Sequence, residues 1–345
     1  MLAQELEPIE REILVKAAIM APSMQDSQPW HFRFRQRTVE VHRNPDRELV
    51  VDDPDGRMTL ISCGAAVFNI RVAAASLGRD TTVSVVPDPD PATLVAEVVV
   101  ENAAADLEDP AALFPYLSRR RTNRQPVAEH ALPDKVRQRL SHAATREGAV
   151  LEWVEDPARM RWLMALASGP ELIRSGISRR ADQTTAGTEV AGQSPAAPPQ
   201  GLETPTHPPA PGQSPAAPPQ APETAAPSRP EIPAPRSEVT VQAPDPMGAA
   251  EPGDPHPTLA VLWTARDDRA TWVTAGQALE RVLLVASTYG LAASMINQPF
   301  EHTDMRWLVR ERSTGWSEPQ VVLRFGQGQE APSTPRRPAA AFVLA

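Results

Sequence analysis

Apolar residues recur at helical spacing from the start of the chain. Ile9, Ile13, Leu14, Ala17 and Ala18 form one stripe behind Pro8, which suits a first helical turn, and Pro22 ends the pattern. Two segments further on are apolar nearly all round: GAAVFNIRVAAASLG (Gly64–Gly78) and GQALERVLLVASTYG (Gly276–Gly290). That pattern predicts buried central helices, the first reaching back to Met58, and each closes on a glycine suited to a left-handed cap. Strand-like runs lie at Thr81–Val86, Leu94–Glu101, Thr258–Thr264 and Pro319–Gly326, and an aromatic one follows Gln28-Pro29-Trp30. Strands alternating with long helices predict a mixed α/β or α+β fold. The shared glycine-to-glycine spacing predicts a unit duplicated within one chain, with two sheets around central buried helices that pack in one core.

From about residue 193 to 257 the pattern stops. Pro, Ala, Gln and Thr dominate, and GQSPAAPPQ occurs twice, at Gly192–Gln200 and Gly212–Gln220. Such a stretch buries too little apolar surface to offset its ordering entropy and reads as a disordered or polyproline-like insert. The chain therefore divides into a first half (1–110), the start of a second half (111–192), the insert (193–257) and the remainder of the second half (258–345).

A formal charge of −9 and a pI near 5.4 argue against a nucleic-acid surface. The single cysteine, Cys63, excludes an intramolecular disulfide, fits a reducing cytosol, and reads as a small buried side chain. The acidic start MLAQELEPIE lacks the features of a signal peptide, and Arg71 interrupts the best apolar run, so no membrane span and a cytoplasmic location are expected.

Two features carry candidate chemistry. APSMQDSQPWHF (Ala21–Phe32) sets donors and acceptors beside an indole, as a site for a flat polar ligand does. SRRRTNRQP (Ser118–Pro126) crowds four guanidinium groups together, and STPRRP (Ser333–Pro338) adds two more. Arg suits bidentate phosphate contacts, and two clusters in an acidic chain point to one phosphate group. No aromatic residues are interleaved to stack nucleic-acid bases. Phosphate-loop and dinucleotide fingerprints are missing, and no His or Cys pairs stand at zinc spacing, so no metal is expected. His31, which precedes the aromatic strand, reads as structural.

Together PSMQDSQPW, DPDGRMTLISCGAAVFNIRVAAASLG, RRRTNRQPV, AGQALERVLLVASTYGL and LRFGQG…STPRRP resemble the FMN-dependent nitroreductase superfamily, and most nearly its Acg-type branch, in which two nitroreductase-like units are fused. The resemblance covers most of the chain on either side of the insert. It implies that Arg120, Arg121, Thr122 and Arg124 hold phosphate and ribityl oxygens, with Arg336 and Arg337 closing around the phosphate. Pro22, Ser23, Met24 and Asp26 would face the isoalloxazine, and the segment Ser294–Asn297, with Met295, Ile296 and Asn297, would pass its N5 edge. In such enzymes the two parts come from different subunits. Here the first half has the turn and the second has both Arg clusters, which predicts one intramolecular FMN per monomeric pseudo-dimer and leaves a homodimer open.

Asp26 stands where most relatives have Asn, and a carboxylate there would lower the flavin potential unless it is neutralised. The middle segment, a lid in this branch, is here largely Pro-rich. The expected activity is hydride transfer from NADPH or NADH to FMN and on to a nitroaromatic or quinone-like small-molecule acceptor, with the chemistry on FMN and no dedicated acid–base residue. The alternative is a flavin-sequestering protein with a covered ring and little turnover.

Overall fold

The computed structural model describes residues 5–85, 93–102, 108–120, 131–165, 258–296, 306, 309–310, 318–327 and 336–344. The chain divides into two units, Met1–Ile173 with Ser237–Ala345, and Arg174–Arg236. Every described residue belongs to the first unit, and the Pro-rich insert lies outside the described residues.

Helix α1 (Pro8–Ala18) begins with Pro8, and Glu10 reaches back 2.9 Å to the Glu7 N–H. Its buried residues are Leu14, Val15, Ala17 and Ala18, whereas Ile9, expected in the apolar stripe, is exposed. Strands β1 (Trp30–Arg35) and β2 (Thr38–Arg43) form a hairpin, so His31 lies within a strand rather than before it. Helix α2 (Arg57–Ser76) leads to β3 (Asp80–Val85) and β4 (Leu94–Glu101). The short helices α3 (Glu108–Ala111) and α4 (Phe114–Leu117) follow. Then come α5 (Asp134–Arg146), β5 (Val150–Trp153), and α6 through 157–165. Strand β6 (Thr258–Thr264), helix α7 (Arg269–Thr288), β7 (Ala292–Ile296) and β8 (Glu318–Gly326) complete the set.

The eight strands form two four-stranded antiparallel sheets, ordered β1-β2-β4-β3 and β5-β6-β8-β7. Mixed helix and antiparallel strand is an α+β architecture. The second sheet repeats the order of the first, and both carry a register irregularity in the second strand, at Val41/His42 and Leu262/Trp263.

Helices α2 and α7 make the central layer. Both are started by carboxylates: Asp53 accepts from the Met58 and Thr59 N–H groups (2.9 and 2.8 Å), and Asp268 from Thr271 N–H (2.8 Å). Both are followed by a glycine in the left-handed region, Gly78 (φ 71°) and Gly290 (φ 67°). At their contact a Cβ on Gly64 would lie 2.1 Å from the Val273 carbonyl oxygen, and one on Gly276 would lie 2.0 Å from that of Ile61. The two backbones approach so closely, and so reciprocally, that only glycine fits on either side. Arg57, buried at the start of α2, donates to the Gln320 backbone and side-chain oxygens of β8 at 2.9 Å each, and burial together with the nearby Arg306 charge lowers its pKa to about 10.

One large core joins the inner faces of both sheets to α1, α2, α5 and α7. A smaller cluster on the far side of the second sheet sets Leu259, Val261, Trp263 and Val322 against Leu163 of α6 and Val309. The C-terminal tail leaves the second half and lies along the first. Phe342 is fully buried, Val343 pairs in parallel with Phe32 of β1, and the Leu344 N–H donates to the Phe32 carbonyl at 2.8 Å.

Candidate functional site

The segment after α1 holds three non-glycine residues in the left-handed region: Gln25 (φ 49°), Asp26 (φ 55°) and Gln28 (φ 49°). Each costs roughly 1–2 kcal/mol, so the surrounding structure has to impose this shape. Ser23 Oγ accepts from the Gln28 N–H (3.0 Å), Gln25 Nε2 donates to Asp52 Oδ2 (2.8 Å), and Gln28 Nε2 donates to Asp26 Oδ2 (3.2 Å). Arg47 Nε holds the Ser27 carbonyl at 2.9 Å.

Arg120 of the first arginine cluster and Arg336 and Arg337 of the second reach the end of α1 or this turn. Arg120, in the residue run after α4, donates to the Met20 carbonyl at 2.9 Å and sets its Nε 3.4 Å from Glu280 Oε1 of α7. Arg336 Nε donates to the Ile19 carbonyl (2.8 Å), Nη2 to that of Ala21 (3.4 Å), and Nη1 to Asp26 Oδ1 (2.8 Å). These carbonyls are the negative pole of the helix, which attracts cations. Arg337 donates to the Gln28 carbonyl at 3.2 Å, and its guanidinium lies 4.3 Å over the Phe342 ring. Burial and the charge of Arg47 lower the Arg337 pKa. Glu280 is fully buried, and burial pushes its carboxyl up to about 7 against the opposing charges of Arg120 and Arg336.

Pro22, Ser23 and Met24 face Met58, Ile61 and Ser62 of α2 across an apolar seam closed by Leu279 and Met295. The turn, α2 and β7 thus meet at one place, and Met295 is on it. Ile296 is not: it packs against the smaller cluster on the other side of the second sheet, as strand alternation requires of a neighbour of Met295. Asp26 lies at the arginines rather than in the seam lining. Arg121, Thr122, Arg124 and Asn297 lie outside the described residues. Sequence patterning did not single out Met58, Ile61, Ser62, Leu279, Arg47 or Glu280. Only Glu280 left a signal, as a lone acid within a nearly all-apolar helix.

The lining fits the chemistry of FMN. A phosphate ester needs convergent cationic donors, and a flat ring needs an apolar slot with edge hydrogen-bonding groups. The buried Nε of Arg337 and Oε1 of Gln28 have no hydrogen-bond partner among the described residues, as expected of groups that face a ligand. The seam itself is narrow. At about 10 Å³ it has room for one water, so a ring enters only by parting the turn from Met58 and Met295.

No family model matches the chain. Among curated proteins, it is 32% identical over 325 residues to the Mycobacterium tuberculosis H37Rv protein named "Putative NAD(P)H nitroreductase Rv3131", covering 93% of this chain and 87% of that one. It is 28% identical over 329 residues to "Putative NAD(P)H nitroreductase acg" of the same strain, covering 94% and 92%. A third relative, "Uncharacterized protein Rv3127", is 26% identical over 341 residues. The chain belongs to the nitroreductase family, in its Acg-type branch.

Proposed function

We propose that the protein is an FMN-dependent oxidoreductase of nitroreductase type, taking reducing equivalents from NADPH or NADH and passing them to a small nitroaromatic or quinone-like acceptor. The observation that carries this reading is the convergence of Arg120, Arg336 and Arg337 on the end of α1 and the strained turn beside the apolar seam. FMN, when bound, supplies the hydride chemistry. The chain supplies binding and electrostatics. Arg336 and Arg337 bring positive charge for the phosphate, and Met24, Met58 and Met295 offer apolar, polarizable surface to a ring. Ser23 and Gln28 fix the turn, while the Asp26 carboxylate is offset by Arg336 rather than left bare toward the ring.

We read the repeated sheet order and the reciprocal glycine contact as a duplicated nitroreductase-like unit, a pseudo-dimer within one chain. The step along the sequence that carries Gly64 to Gly276 relates Leu279 to Val67 and Met295 to Val83. Val67 is fully buried and Val83 packs on the core. There α5 turns directly into β5 through Gly148 (φ 76°), with no counterpart of the Pro22–Gln28 turn. One flavin site per chain follows. A monomer in the cytoplasm, without membrane or nucleic-acid partners, suits this reading, although nothing in the pseudo-dimer forbids further pairing.

The narrow seam favours one other reading, a flavin-sequestering protein whose ring stays covered. The visible spectrum of the anaerobic, FMN-loaded protein before and after NADPH or NADH separates the two. Bleaching of the flavin bands supports the oxidoreductase. A flavin that stays oxidised with both donors supports sequestration. No flavin bound after reconstitution contradicts both.

A further inference from the structure

A second concave site lies between α4, α5 and the C-terminal end of α7, with a volume of about 260 Å³ and no lining residue in common with the apolar seam. Its wall is cationic. Arg139, His142 and Arg146 are exposed and follow one another at i, i+3 and i+7, which puts them on one face of α5. Arg281 lies at its base, nearly buried, with its guanidinium held 2.5 Å from Glu147 Oε1. Among the described residues no carboxylate lines the cleft, in a chain whose net charge is −9. Arg139 and Arg146, two turns apart on this face, set two guanidinium groups along the cleft with the His142 ring between them.

The cleft also holds Tyr116 and Tyr289, the only two tyrosines of the chain. Each offers a flat ring and a hydroxyl. Guanidinium groups grip phosphate bidentately, and aromatic faces stack on heterocycles. We propose that this cleft binds a small phosphate ester carrying an aromatic base, of nucleoside monophosphate size. Its volume lies just below the range of about 300–1,000 Å³ typical of ligand cavities, which favours one nucleotide over two. The proposal does not rest on the flavin reading, since the two sites share no residue.

The test is isothermal titration of the full-length protein with AMP, run on the protein as isolated and again after reconstitution with FMN and removal of the unbound flavin. Inorganic phosphate and adenosine serve as partial probes. The expected result is one saturable AMP site, unaffected by FMN, with phosphate and adenosine each binding more weakly. Arg139→Gln/Arg146→Gln, at exposed positions that leave the core untouched, weakens AMP at least tenfold, and Tyr289→Ala weakens it severalfold. Arg336→Ala leaves it unchanged. Absence of saturable AMP binding overturns the proposal, as does equal binding by the double arginine variant. Loss of AMP binding in Arg336→Ala with retention in the double variant also overturns it, by placing the nucleotide at the other site.

Discussion

Arg336 Nη1 lies 2.8 Å from Asp26 Oδ1, so an arginine near the end of the chain is bonded to the turn that opens it. The pair joins the two halves at the candidate site. It also matches the charge of Asp26 across the site. Charge-assisted hydrogen bonds contribute about 1.5–3 kcal/mol. Arg336→Ala is therefore expected to weaken FMN binding by about ten- to a hundredfold, read from quenching of flavin fluorescence on titration. In the bound state it should also shift the midpoint potential negative by exposing Asp26, whereas Asp26→Asn shifts it positive and retains flavin. Shifts of the same sign in both variants would contradict the pairing.

The contact of Gly64 with Gly276 predicts that neither tolerates a side chain. The atoms a Cβ would meet at 2.1 and 2.0 Å are backbone oxygens, which no rotamer change can move. Gly64→Ala and Gly276→Ala are each expected to lose about 1–3 kcal/mol or more, measured as a fall in urea midpoint. Gly56→Ala is the contrast. A Cβ there meets nothing within 4 Å, so its cost is confined to its backbone angle (φ 69°). A tolerated Gly64→Ala would contradict the close helix crossing.

Glu280 sets a pH dependence. Its carboxyl is raised by burial from the ordinary 4.5 to about 7. An acid with a higher pKa folded than unfolded costs stability wherever the unfolded chain is ionised and the folded one is not. Below about pH 4.5 both states hold the proton and Glu280 contributes nothing; the cost grows from there to about pH 7 and then levels off. Glu280→Gln removes this cost, so its stability relative to the wild type should rise between pH 5 and pH 8. Urea unfolding of both proteins at the two values checks it, and a difference independent of pH would contradict it.

Cys63 is fully buried, its Sγ 3.6 Å from the Pro29 carbonyl, and burial pushes the thiol up. Only a thiolate attacks a disulfide reagent. The native protein is expected to resist Ellman's reagent, and one thiol per chain should react once it is unfolded in guanidinium. Rapid labelling of the native state would show that α2 is not packed as described.

Some of this was legible in the pattern of residues alone. The bounds of β4 and β6 match their apolar runs residue for residue, and Gly78 and Gly290 end their helices as capping glycines do. The nearness of the turn and the tail arginines was implied by the resemblance to the nitroreductase superfamily, not by the local pattern. Strand β2 left no such mark, because two of its buried residues, Glu40 and His42, are charged or polar. They are kept there by Arg35, 2.7 Å from Glu40, and by each other at 3.0 Å, a network that exists only once the hairpin forms. Helix α5 is amphipathic but mostly polar, with Val136, Leu140, Ala143 and Ala144 as its buried residues. Glu280 reads as a blemish in an apolar helix until Arg120, distant in sequence, is brought beside it. Long-range polar partners are what local patterning does not encode.

The central claim is a single flavin site shared between the halves of one chain. Its most direct test is the ratio of FMN to protein at saturation, from absorbance of the reconstituted, desalted protein and of the flavin released on denaturation. The account predicts one FMN per chain, with Arg336→Ala reaching that ratio only at about ten- to a hundredfold higher FMN. Two per chain, or none in the wild type, would contradict it.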